Sequence, residues 1–141
     1  MPISADRPDA LVDSSVAVAL VMPDHGYHRT TVEALAGRRL GLAGHAAFET
    51  VSVLTRLPPP LRRTPATIGQ MLARRFPESR FLSPELAADL LGRLAGLGIG
   101  GGAVYDALVA ATAAEHQLPL VTRDRRAFGT YRALDVDVEV V

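Results

Sequence analysis

Hydrophobic positions along this chain fall into two rhythms. Short apolar runs at Ala10–Val12, Arg39–Ala43 and Leu118–Val121 read as strands buried on both sides, with a brief further strand at Arg80–Leu82. Val136–Val140 alternates apolar and acidic residues, as an edge strand half open to solvent does. Between these runs, apolar residues recur every three or four positions. That spacing predicts helices after Ser14-Ser15, from Tyr27 to Leu35, from His45 to Arg56, from Pro65 to Phe76, from Pro84 to Leu97 and from Ala103 to His116. Thr64-Pro65 and Ser83-Pro84 each pair a capping hydroxyl with a proline at the first helical position. Pro58-Pro59-Pro60 and Gly98–Gly102 interrupt the chain, and Asp124–Phe128 reads as a short helical turn. Strands alternating with helices predict an α/β fold with a short parallel sheet covered on both faces. No repeat or linker divides the chain, so residues 1–141 read as one domain, with residues 1–9 as a flexible N-terminal extension.

Four carboxylates sit awkwardly within this pattern. Asp13 follows the first strand, and Asp124 follows the strand ending at Val121. Glu49 is the only carboxylate of its helix, and Asp106 stands in the first turn of a helix that is otherwise almost wholly apolar. Each has an ordinary explanation: a cap for Asp13 and Asp124, the helix dipole for Asp106, an exposed helix position for Glu49. Ligands of parallel sheets, however, bind beyond the carboxyl ends of the strands, and early helical turns reach the same rim. All four acids are therefore expected to converge. Two carboxylates about 4 Å apart repel by roughly 4 kcal/mol at an effective dielectric near 20, so a cluster of four calls for cations. Hard, oxygen-preferring Mg²⁺ or Mn²⁺ fits, and paired ions of this kind serve phosphodiester hydrolysis.

Composition narrows the choice. The chain contains no cysteine, which excludes disulfides, thiolate metal sites and cysteine nucleophiles. Its formal net charge of +0 argues against a protein that coats polyanions. All 15 basic residues are arginine, and several gather between Arg56 and Arg80, where Glu78 is the only acid. No apolar run has the length of a membrane span, and the acidic, proline-containing start does not resemble a secretory signal, so a cytoplasmic protein without membrane attachment is expected. The pattern G-x-G-x-x-A at Gly98–Ala103 follows a helical segment rather than a strand, which favours a connector over a dinucleotide site. His45 and Glu49 share a helix face, but the histidines show no other paired ligand spacing.

Asp13 and Ser15 in LVDSS, Glu49, GGAVYDALVAA around Asp106, and VTRD ending at Asp124 together resemble the PIN-domain ribonucleases, and among them the VapC toxins. The resemblance runs from Leu11 to about Phe128. It implies an α/β/α sandwich, Mg²⁺- or Mn²⁺-dependent cleavage of RNA, a homodimer, and a cognate VapB-like antitoxin. By position, Asp13, Glu49, Asp106 and Asp124 would be the catalytic, metal-holding acids, with Ser15 and Thr122 in support. Arg62, Arg63, Arg74, Arg75 and Arg123 are candidates for holding RNA phosphates, which arginine contacts without sequence choice. Arg123, Arg125 and Arg126 surround the last acid, where family members often carry a further acid or asparagine. With few aromatic residues and no tryptophan, RNA would be read mainly by shape and backbone. Two other readings are a PIN-like module that binds RNA or protein without catalysis and a phosphatase of another doubly wound fold. Against the phosphatase, the second residue after Asp13 is Ser15 and no lysine is available for phosphate.

Overall fold

The computed structural model describes residues 7–141 and is built on a four-stranded, wholly parallel sheet in which Leu40–Leu42, Ala10–Val12, Leu120–Thr122 and Val138–Val140 lie side by side in that order. Along the chain run β1 (Ala10–Val12), α1 (Ser14–Val21), α2 (His28–Leu35), β2 (Leu40–Leu42), α3 (His45–Thr55) and α4 (Pro65–Arg75). They are followed by α5 (Pro84–Leu97), α6 (Ala103–Glu115), β3 (Leu120–Thr122), α7 (Phe128–Ala133) and β4 (Val138–Val140). Most of the extension expected over residues 1–9 lies outside the described residues. Its last residue is bound to the entry of β2: Asp9 N–H donates to the Arg39 carbonyl at 2.8 Å, and Arg39 N–H donates to Asp9 Oδ2 at 2.8 Å.

The strands are short, but β1, β2 and β3 are buried throughout, because successive side chains enter opposite cores. Ala10, Val12 and Val121 join Val16, Leu20, Leu54 and Leu72 from α1, α3 and α4 on one face. Leu11 and Leu120 join Val109, Ala110 and Tyr131 from α6 and α7 on the other. This two-sided burial is why the strands stand in the sequence as unbroken apolar runs.

Three sequence expectations shift. At Arg80–Leu82 there is a single bridge, Arg80 beside Ala43, rather than a strand. Phe81 turns out to solvent and the Ser83 backbone N–H is taken by Glu115 Oε1, so the ladder stops after one residue. The strand expected at Leu118–Val121 starts two residues later and ends one residue later, at Thr122. Leu118 N–H still bonds the Ala113 carbonyl at the end of α6, and Gln117 takes a left-handed conformation with φ of 53°. The delay brings Thr122 into the sheet. Finally, the helical turn expected at Asp124–Phe128 is present, with Ala127 N–H bonding the Asp124 carbonyl and Phe128 N–H the Arg125 carbonyl, but it runs on into a helix, α7, that the periodicity did not reveal.

Sequence order and spatial order part company at the centre of the sheet. From β1 the chain builds outward to β2, and then returns to lay β3 against the other side of β1. The carboxyl ends of β1 and β3 therefore form the crevice where open α/β sheets bind ligands.

Gly41 on β2 makes a close approach possible: a Cβ there would stand 2.3 Å from the Glu78 carbonyl oxygen. Gly41→Ala is expected to lower stability by about 1–3 kcal/mol through overpacking against backbone. Urea unfolding midpoints equal to those of the unsubstituted protein would show that the loop at Glu78 yields freely.

Candidate functional site

At the head of the crevice, Asp13 ends β1 and caps α1. The register that pairs Val12 with Val121 sets it beside Thr122. Only 3% of Asp13 is exposed, and both its oxygens are taken. Oδ1 accepts from the Ser15 hydroxyl and the Val16 N–H; Oδ2 accepts from the Thr122 hydroxyl and from the Tyr131 hydroxyl at 2.9 Å. Two of these donors are themselves tied to the backbone after β3. Arg123 N–H donates to Ser15 Oγ at 2.9 Å, and Asp124 N–H donates to Thr122 Oγ1 at 2.9 Å. Each hydroxyl oxygen is thus occupied as an acceptor, and its proton is directed at the carboxylate. Burial pushes the Asp13 carboxyl above its ordinary range, and its bonds to Ser15, Thr122, Tyr131 and Val16 pull it back without cancelling the rise. Burial, followed by the charge of Asp13, pushes the Tyr131 phenol far above its usual value, so Tyr131 serves as a permanent donor.

The other acids stand higher on the same rim. Asp106, in the first turn of α6, is part-buried. Its carboxyl is pushed up by burial first, then by the negative charges of Glu49, Asp124 and Asp13 in that order, with Arg126 opposing. Glu49, Asp124 and Asp13 therefore each lie within electrostatic reach of Asp106. The Ser14 hydroxyl donates to Glu49 Oε2 at 3.3 Å, and His45 Nε2 lies 3.7 Å from Glu49 Oε1. Asp124 Oδ1 accepts from the Arg126 backbone N–H at 2.9 Å, with Arg126 Nε 3.4 Å away.

Among the described residues, no three acidic or histidine side chains are gathered tightly enough to enclose a metal ion. Mg²⁺ does not require such a cage, since it keeps several waters and takes one or two carboxylates. The donor set consists of carboxylate and hydroxyl oxygens, and the mutual repulsion focused on Asp106 is what a hard cation relieves. The residues fit such an ion, with Glu49, Asp106 and Asp124 the more open acids and Asp13 at the floor.

The expected phosphate-binding arginines are not brought to these acids. The side chains of Arg62 and Arg63 fold onto carbonyls of their own loop, at Leu57 for Arg62 and at Pro60 and Leu61 for Arg63. Arg74 and Arg75 end α4, and Arg75 bonds the Leu20 carbonyl, near the end of α1 remote from Asp13. Arg123 lies over the Tyr27 ring at 4.0 Å and donates to Thr31 Oγ1 and the Val141 carbonyl, so its guanidinium serves the fold. Arg126 is the arginine that reaches the acids.

Sequence reasoning also missed Tyr131. It lies in a helix the periodicity did not reveal, and its only signal is the general need of a buried phenol for a partner. Tyr105 is 52% exposed and stacked on His45.

The PIN domain family model matches residues 10–133. The chain is 46% identical over 134 residues to Ribonuclease VapC27 of Mycobacterium tuberculosis, covering 95% of this chain and 98% of that protein. It is 44% identical over 131 residues to Ribonuclease VapC40 of the same species, covering 92% and 96%. FitAcB from Neisseria gonorrhoeae has a similar fold, with a TM-score of 0.65 and 22% identity over 92% of this chain and 95% of that one. So does VapBC2 from Rickettsia felis, bound in that structure to a DNA fragment from its promoter, with a TM-score of 0.66 and 17% identity over 94% and 98%.

Proposed function

The chain belongs to the PIN-domain family, and from that premise we propose that it is a divalent-metal-dependent endoribonuclease, the toxin of a toxin–antitoxin pair. The observation that carries the chemistry is Asp106, part-buried and under the joint repulsion of Glu49, Asp124 and Asp13 at the switch point of the sheet. An acid held in that field gains most from a cation and loses most without one.

Mg²⁺ or Mn²⁺ would be held by Glu49, Asp106 and Asp124 above Asp13, and when bound supplies activation of the attacking water and neutralisation of charge on the phosphodiester. The chain's own contribution is placement. Asp13 fixes the ends of β1 and β3 through Ser15 and Thr122, so that Asp124 leaves the sheet at a set height. Ser14 holds Glu49 toward the rim, with His45 alongside. Arg126 beside Asp124 supplies positive charge at the cluster.

Homodimerisation, a cognate VapB-like antitoxin and a cytoplasmic setting belong to the same reading. The antitoxin is supported by the 46% identity to Ribonuclease VapC27. The rival reading is a non-catalytic RNA- or protein-binding module, in which the acids would serve no cleavage. Cleavage decides between them. The purified protein is expected to cut single-stranded RNA internally with Mg²⁺ or Mn²⁺, to stop when the ions are chelated, and to resume when they are restored. RNA left intact with both ions would sink the catalytic reading.

A further inference from the structure

The fold gathers aromatic residues that the sequence scatters. Of four phenylalanines and three tyrosines, Phe48, Phe81 and Tyr105 meet in one exposed cluster with His45, beside Glu49. His45 and Tyr105 are stacked, with centroids 4.8 Å apart and planes 15° from parallel. Phe48 lies 6.5 Å from His45 and meets Phe81 edge-on at 6.3 Å. Phe48 is 65% exposed. Phe48 on α3 and Tyr105 on α6 present largely open rings, and Phe81 follows the bridge at Arg80.

Their placement is specified by the backbone. Gly44, with φ of +52°, lets the start of α3 approach α6 so closely that a Cβ would stand 2.7 Å from Thr112 Oγ1. That approach brings His45 of α3 to Tyr105 of α6. Further along α3, the same face carries Glu49, Ser52 and Arg56, and with His45 and Phe48 they line an open cleft of about 320 Å³. Arg56 is two turns beyond Glu49, about 10 Å at the helical rise. One of its guanidinium donors goes to the Ser52 carbonyl. The stripe thus reads, in order, ring, acid of the candidate metal site, guanidinium.

We infer that this face is a nucleotide subsite, in which an unpaired base next to the scissile phosphate stacks on Phe48 and the His45–Tyr105 pair while Arg56 meets a neighbouring phosphate. The inference rests on the endoribonuclease reading. A nucleotide offers a flat π-face and an anion at this spacing, and base stacking on aromatic side chains tolerates any base. A protein segment laid here would have to desolvate both Glu49 and Arg56. The opposite flank of Phe48, toward α4 and lined by Leu42, Val51 and Leu72, offers such a segment aliphatic surface instead.

The test uses a single-stranded RNA whose cleaved bond has been mapped, with an abasic nucleotide placed in turn on either side of that bond. Phe48→Leu and Tyr105→Leu keep apolar volume and remove the ring face. Each is expected to lower kcat/KM on intact RNA about ten-fold, and an abasic nucleotide at one flanking position lowers it similarly for the unsubstituted protein. Combining the two produces no further loss, because both remove the same stack. Phe48→Trp retains activity, and Arg56→Gln reduces the slope of log affinity against log salt by about one. Leucine variants that cleave like the unsubstituted protein, or losses that multiply, overturn the subsite. So does unchanged cleavage by Phe48→Leu with a shift to a smaller species in sedimentation, which marks a contact between copies. Failure of the unsubstituted protein to cut any RNA with Mg²⁺ or Mn²⁺ is a separate result that removes the endoribonuclease reading beneath it.

Discussion

Asp106→Asn is expected to lower RNA cleavage on the order of 10³-fold while the protein stays folded, because on the proposed reading this carboxylate holds the ion that supplies several kcal/mol of transition-state stabilisation. The same substitution has an opposite effect on the metal-free protein. Burial and the neighbouring acids raise the Asp106 carboxyl above its ordinary value, so its ionised form opposes folding at neutral pH. Asparagine removes that penalty, and the metal-free melting temperature rises. For the unsubstituted protein, the sign is fixed by the raised value. The penalty is absent below the unfolded carboxylate's pKa and grows as pH rises through the folded one, so metal-free stability improves as pH falls from neutral toward that range. Protons compete with the cation over the same interval, and cleavage falls there. Calorimetric melting with and without Mg²⁺, beside cleavage rates, tests both effects. Full cleavage retained by the Asp106→Asn variant would remove Asp106 from the site.

Asp13→Ala is expected to cost about 2–4 kcal/mol of stability, a fall in melting temperature on the order of 10 °C. The alanine leaves the hydroxyls of Ser15, Thr122 and Tyr131 and the Val16 N–H without their shared acceptor, and it removes the cap of α1. Relief from burying a carboxylate, visible in the raised Asp13 value, offsets part of the loss. Asp13 is thus a poor residue with which to test catalysis alone, since lost activity and lost packing arrive together. Asp124→Ala is the matched comparison: Asp124 is more open and its side chain serves Arg126, so it should cost less than about 1 kcal/mol. Equal urea midpoints for the two variants would show that the network around Asp13 does not hold the crevice.

Helices and strands were legible where local chemistry settles them. Thr64-Pro65 and Ser83-Pro84 start their helices where the sequence places them, and Ala10–Val12 is a strand with those ends. Errors fell where the hydrogen-bond partner of a backbone N–H decides. The Arg80 strand fails because Glu115 claims Ser83, 32 residues away, and β3 starts late because α6 spends one more bond on Leu118. Periodicity could not anticipate either, since it registers side-chain pattern and not where a backbone N–H finds its acceptor.

By itself, the sequence determined an α/β chain with a two-sided parallel sheet, and it determined which four acids lie at strand ends and helix starts, because apolar rhythm and caps are local properties. Only the tertiary structure decided what each acid does. It saturated Asp13 with donors from β3 and α7, made Asp106 the focus of repulsion, and turned Arg62, Arg63, Arg75 and Arg123 to structural bonds. It also drew His45, Phe48, Phe81 and Tyr105 into one cluster. Hydrogen bonds, charge fields and ring contacts act across space, and residues more than a hundred positions apart, such as Asp13 and Tyr131, become neighbours only once the sheet has closed its switch point.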